Sequence, residues 1–181
     1  MASELHVDAI KHSGGTSALT IDSSGNIATN ATLNASTGLT VPSGHVIQVI
    51  ENSTTTQVNS TSTSYADTNL TATITPQFTS SKILITIAQN VHKTYQHTDQ
   101  IQLNIVRGST QLVQWATELL HDDGALNHFN GYGSQSYLDS PSTTSATTYK
   151  TQFRRRLSTS AQVSVQYASG RSSIILMEIS G

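Results

Sequence analysis

Seven histidines are the side chains here best suited to hold a metal or move a proton near neutral pH. Two of them, His92 and His97, share the short stretch Val91-His92-Lys93-Thr94-Tyr95-Gln96-His97-Thr98-Asp99. An oligomer axis could gather copies of one such histidine around an ion; the bland alternative is a set of strand-end and loop histidines. His121-Asp122-Asp123-Gly124 offers acid-base groups or cation oxygens, and Asp22-Ser23-Ser24-Gly25-Asn26 resembles a degraded calcium loop. Neither has the far acidic ligand that an EF-hand requires, and both read more simply as turns. No Gly-X-Ser-X-Gly nucleophile elbow is present. Cysteine is absent, which excludes disulfides and thiolate metal sites. Paired carboxylates for polysaccharide cleavage are the one catalytic arrangement that spacing leaves open. No catalytic, metal-binding or cofactor-binding residue is assigned, and the chain is read as a non-enzyme.

Binding chemistry has two candidate locations. Phe153-Arg154-Arg155-Arg156-Leu157 concentrates positive charge. On a strand, Phe153, Arg155 and Leu157 face one way while Arg154 and Arg156 face the other. The cluster is thus split between two surfaces; one reading is a patch for anionic lipopolysaccharide or an acidic virion partner, and the alternative is ion pairing between subunits with Glu118, Asp139 or Glu178. From Trp115 to Tyr137, aromatic residues alternate with glycine and polar residues, a composition suited to sugar or protein contacts. Trp115, Phe129 and Tyr132, with Arg154 and Arg156, form the candidate recognition surface. Against that stands the reading in which Trp115 and Phe129 fill the core or a subunit interface.

The elements that must position these residues are strands. Leu70-Thr71-Ala72-Thr73-Ile74-Thr75 alternates apolar residues with threonine, Pro76 stops the run, and Lys82-Ile83-Leu84-Ile85 begins a second strand. Further strands are expected at 55–59, 82–91, 100–107, 111–116, 148–157, 161–167 and 172–179. The run 101–105 alternates strictly and turns at Arg107-Gly108-Ser109-Thr110 into 111–113, with its apolar face on the odd residues. Residues 116–121 are compatible with a helical turn or a strand. Short strands at this spacing indicate an antiparallel sandwich.

In the first forty residues, Ile21-Asp22-Ser23-Ser24-Gly25-Asn26-Ile27 is echoed by Leu33-Asn34-Ala35-Ser36-Thr37-Gly38-Leu39. Such strand-turn units are too small to fold alone, so they require copies of themselves or a larger partner. Val41-Pro42-Ser43-Gly44 punctuates the chain, which divides the expected domains into 1–44 and 45–181. The nearly continuous apolar run 173–179 suits a strand covered on both faces, one of them by a neighbouring subunit.

Serine and threonine make up roughly three residues in ten, charged residues 11%, and the net charge is −2. That profile is unlike a nucleic-acid binder and suits a surface-exposed structural β protein. The N-terminus lacks the basic and apolar regions of a secretory signal. No stretch approaches the about 18 apolar residues that span a bilayer, so membrane insertion is not expected. The sequons at Asn30, Asn34, Asn52, Asn59 and Asn69 are what a chain this rich in Ser and Thr produces by chance.

The stretch from Tyr65 to Leu84, with its Ile-Thr-Pro and Ser-Lys-Ile-Leu, resembles a β-sandwich module at the ends of tailed-phage fibres and spikes. Tyr137-Leu138-Asp139-Ser140-Pro141, Thr147-Thr148-Tyr149-Lys150 before Phe153, and Ile175-Leu176-Met177-Glu178-Ile179 match it in order. The stretch from Ser17 to Ile27 also looks like phage fibre wording. The resemblance, closest to phages of aquatic bacteria, implies a jelly roll similar to the C1q and tumour-necrosis-factor folds, assembled as a homotrimer. It implies a virion location on tail or capsid. The family's N-terminal region would meet other virion proteins, and its knob a host glycan or protein; the alternative is a capsid or tail decoration without receptor binding.

Overall fold

The computed structural model describes residues 9–11, 14, 17–29, 42–94, 100–119, 128–157 and 162–181. The chain forms two compact units, Met1–Thr40 and Val41–Gly181. In the first, β1 (Ala9–Lys11), β2 (Ser17–Ile21) and β3 (Ile27–Thr29) make an antiparallel sheet in that order. Ile10 pairs with Leu19 and Ile21 with Ile27, which puts these four apolar side chains on one face. The second copy of the repeat, 33–39, lies outside the described residues.

The second unit is an all-β antiparallel sandwich. Its strands are β4 (Val46–Thr54), β5 (Val58–Ser60), β6 (Ala66–Ile74), β7 (Lys82–Thr94), β8 (Ile101–Arg107), β9 (Thr110–Leu119), β10 (His128–Asp139), β11 (Thr147–Arg155), β12 (Gln162–Val165) and β13 (Ser172–Ile179). In the first sheet β7 is the pivot. β10 runs along one of its edges, while β13 and then β12 share the other, backed by β4 and β5. The second sheet has the order β6-β11-β8-β9. The pairings are nested: β8 with β9 innermost, then β7 with β10, β6 with β11, and β4 and β5 with β13 and β12 outermost. A long antiparallel hairpin rolled on itself gives this order, so the sandwich is jelly-roll-like.

Alternation builds the core. Leu70, Ala72 and Ile74 of β6 are buried while Thr71 and Thr73 are exposed; Ile101, Leu103 and Ile105 extend the same inner face on β8, and Ile83, Ile85, Ile87, Ile174 and Leu176 fill the facing layer. The strand, turn and strand of the Tyr65 to Leu84 stretch are present, but the turn carries the chain from the second sheet to the first. Residues 116–119 continue β9 as strand, which settles the helix-or-strand ambiguity over those residues. Residues 41–44 belong to the second unit, because the Gly44 N–H donates to the Ser180 carbonyl at 2.8 Å and the Ser180 N–H to the His45 carbonyl at 2.9 Å.

One irregularity shapes the surface. On β6, Asp67 pairs with Gln152 and Thr71 with Lys150, so Thr68, Asn69 and Leu70 stand opposite Thr151 alone. Asn69 carries this bulge at φ 64°, a left-handed conformation that asparagine tolerates and β-branched residues do not. Asn69→Val is therefore expected to lower stability by about 1–2 kcal/mol and Asn69→Gly to leave it nearly unchanged. Urea unfolding of the two variants checks this, and equal stabilities would refute it.

Candidate functional site

The five sequence-derived recognition residues do not form one surface. Trp115 is 6% exposed and lies in the core, a correction to its assignment as a contact residue: its position on β9 turns the indole toward Leu103 and the sheet interior. Phe129 and Tyr132 are exposed on β10, but an odd and an even position project from opposite faces of that strand. Arg154 lies on the outer face of the second sheet, with its guanidinium carbon 4.7 Å from the Tyr65 ring centre. Its Nε donates to Gln102 at 2.8 Å, which holds the side chain in place. Arg156, exposed just past the end of β11, donates to the Gln100 side chain. Phe153 and Arg155 face inward, as the alternation of the strand requires.

Two of the three carboxylates considered for pairing between subunits, Asp139 and Glu178, are engaged within the chain. Asp139 accepts from Arg107 at 3.0 and 2.8 Å and from the Tyr149 hydroxyl at 2.7 Å. Glu178 accepts from Gln48, the Gln77 N–H and Ser81 at 2.5, 2.7 and 2.6 Å. Glu118 carries no described side chain. Asp22 holds its own turn, accepting the Ser24 and Asn26 N–H groups at 2.8 Å each and the Asn26 side chain at 2.9 Å. The Asn26 side chain first, then the turn's N–H groups, keep its carboxyl below the ordinary range. The Asp22 loop is thus a self-satisfied turn.

His92 is buried, with its ring stacked on Tyr167 at 3.5 Å. His97 and the 121–124 stretch lie outside the described residues. Among the described residues, no three His, Asp or Glu side chains converge as metal ligands.

Two surfaces remain, and they differ in kind. On the outer face of the first sheet, Leu138, Leu84, Met177 and Val49 stand opposite one another across β10, β7, β13 and β4. Ile175 and Ile179 flank this row on β13. Leu138 and Val49 are about half exposed. Among the described residues, the run 173–179 is buried on its even face and only partly covered on its odd face, which continues the apolar row.

The outer face of the second sheet is polar. Around the β6 bulge, Asp67 accepts from Lys150 and Gln152 at 2.8 Å each. Burial alone would raise the Asp67 pKa, but these donors outweigh it and hold the carboxylate charged. Asp67, Asn69, Leu70, Thr71, Lys150 and Thr151 line a shallow cleft there. Sequence reasoning missed this site, because strict alternation along β6 conceals the bulge and the partners come from a strand about eighty residues later. Asparagine inside a strand pattern was the available signal.

No protein-family model and no curated protein matches the chain. Among solved structures it is similar to infectious bursal disease virus proteins. One is the derived T=1 particle, at 12% identity and TM-score 0.41, with 83% of this chain and 40% of that one covered. A second is the VP2 subviral particle, at 12% and 0.39, covering 75% and 38%. A third is the Gt strain structure, at 11% and 0.39, covering 91% and 47%. The chain thus spans less than half the length of each.

Proposed function

We propose that the chain is a non-enzymatic virion structural protein of a tailed phage, a short fibre or spike whose sandwich is a trimeric knob presented to the host surface. The unequal outer faces of the two sheets carry this reading. The apolar row Leu138, Leu84, Met177 and Val49 is the kind of patch that marks association, and the polar face of the second sheet is left for display. Covering the row contributes about 25 cal/mol per Å² of apolar area. The nested pairing also fits the C1q-like jelly roll that the sequence resemblance implies. The small sheet of the first unit, with Ile10, Ile21 and Ile27 exposed, fits a segment that attaches to other virion proteins.

Native mass spectrometry is expected to find three copies together, and Met177→Glu to yield folded monomers with unchanged circular dichroism. A monomeric wild type, or a trimer indifferent to Met177→Glu, overturns the assembly. Immunogold labelling of purified particles tests the virion location. Unchanged adsorption after removal of the knob would make the protein a decoration of the particle instead.

A further inference from the structure

The cleft at the β6 bulge has a chemistry that the knob reading does not use. Asp67 keeps half of its side chain exposed, and each carboxylate oxygen has spent one acceptor position, on Lys150 or Gln152. Lys150 has given one of its three N–H donors to Asp67. The exposed Asn69 side chain has no hydrogen-bond partner among the described residues, and its left-handed backbone sets it at the rim of the cleft. A charged acceptor and a charged donor thus stand 2.8 Å apart, an amide lies beside them, and Leu70 and Thr71 complete the lining.

We propose that this cleft binds a neutral hexopyranose through a vicinal diol. A sugar hydroxyl is at once donor and acceptor. One hydroxyl of the pair donates to Asp67 and accepts from Lys150, and its neighbour bonds the Asn69 amide, while the C–H face of the ring rests on the methyl of Thr71, whose hydroxyl is turned to the Tyr149 carbonyl. Because the ion pair is already neutral overall, uncharged hydroxyls suit it better than an acidic sugar. Lys150 occupies Asp67 Oδ2 at 2.8 Å, which disfavours a cation there. The inference deepens the reading of the sandwich as a host-facing knob by naming a ligand class.

Saturation-transfer NMR on the full chain, with the methyl glycosides of mannose, galactose and glucose and with glucuronate, tests it. Transfer to at least one neutral glycoside is expected, with a Kd on the order of 1 mM. Asp67→Ala is expected to weaken it by about tenfold or more. Asn69→Gly, which keeps the bulge conformation, should give a smaller loss, and circular dichroism should match the wild type for both variants. Absence of transfer to all three neutral sugars, undiminished transfer with folded Asp67→Ala, or tighter binding of glucuronate would overturn the site. Immunogold labelling of particles reads the virion location separately, so failure of one leaves the other decided on its own result.

Discussion

Asp139→Ala is expected to cost about 3–5 kcal/mol of unfolding free energy, the scale for breaking a buried charge pair by removing one partner. Asp139 ends β10 in the first sheet, whereas Arg107 and Tyr149 come from β8 and β11 in the second, so the carboxylate straps the two layers together. Only 8% of its side chain is exposed, and Tyr149 is wholly buried. Deletion leaves the Tyr149 hydroxyl and one guanidinium edge without an acceptor. Burial first, and the neighbouring carboxylate second, push the Tyr149 hydroxyl far above its ordinary pKa, so it remains a donor at every accessible pH. Urea denaturation of Asp139→Ala, Tyr149→Phe and the double variant should be non-additive by about 0.5–3 kcal/mol, because both remove the same hydrogen bond. A loss below about 1 kcal/mol for Asp139→Ala would show that the strap is dispensable.

Glu178 provides the second large effect and a pH signature. It is wholly buried on β13, where burial, the strongest single influence, raises its pKa. The donors Gln48, Ser81 and the Gln77 and Phe78 N–H groups together outweigh that influence, and the carboxyl lies below its ordinary value. Since the folded pKa is the lower one, the unfolded chain takes up the proton first on acidification. The contribution of Glu178 is therefore complete above the unfolded pKa of about 4.3 and is lost as pH falls through the folded value. Melting temperature is expected to drop on that acid limb, and Glu178→Gln should flatten this part of the profile. At neutral pH, Glu178→Ala should cost about 3 kcal/mol or more, because the buried Ser81 hydroxyl and the partly buried bonds from Gln48 and the Gln77 N–H lose their acceptor. Superimposable acid limbs for wild type and Glu178→Gln would refute the assignment.

Much of the fold was legible because alternation reports burial directly. Leu70 to Ile74 and Ile101 to Ile105 put their apolar residues in the core as their spacing required, whereas the nearly continuous apolar run of β13 did not reveal that its even residues are the inner ones. β10 was not legible, since Gly131, Gly133 and its serines carry little strand propensity. Pairing with β7 along its whole length makes it a strand. Trp115 falls within the expected strand 111–116 yet groups by composition with the aromatic segment that follows; only its strand partner, Leu103, places it on the core face. The polar contacts were hidden altogether, because Asp67 with Lys150, and Glu178 with Gln48, join residues far apart in sequence whose meeting only the sheet registers determine.

The nested strand order also fixes a schedule. Closing the β8 and β9 hairpin spans a few residues, whereas pairing β4 with β13 joins positions such as Val49 and Met177 at opposite ends of the domain. Loop-closure entropy makes the inner pair the inexpensive beginning and the outer pair the slow finish. During synthesis β13 emerges after the other strands of the sandwich, and until it docks, half of one edge of β7 has no strand to bond. A nascent chain, or one clipped before β13, would thus present an open edge ready to capture another copy, and the docking of β13 is the moment at which the domain becomes safe from its neighbours.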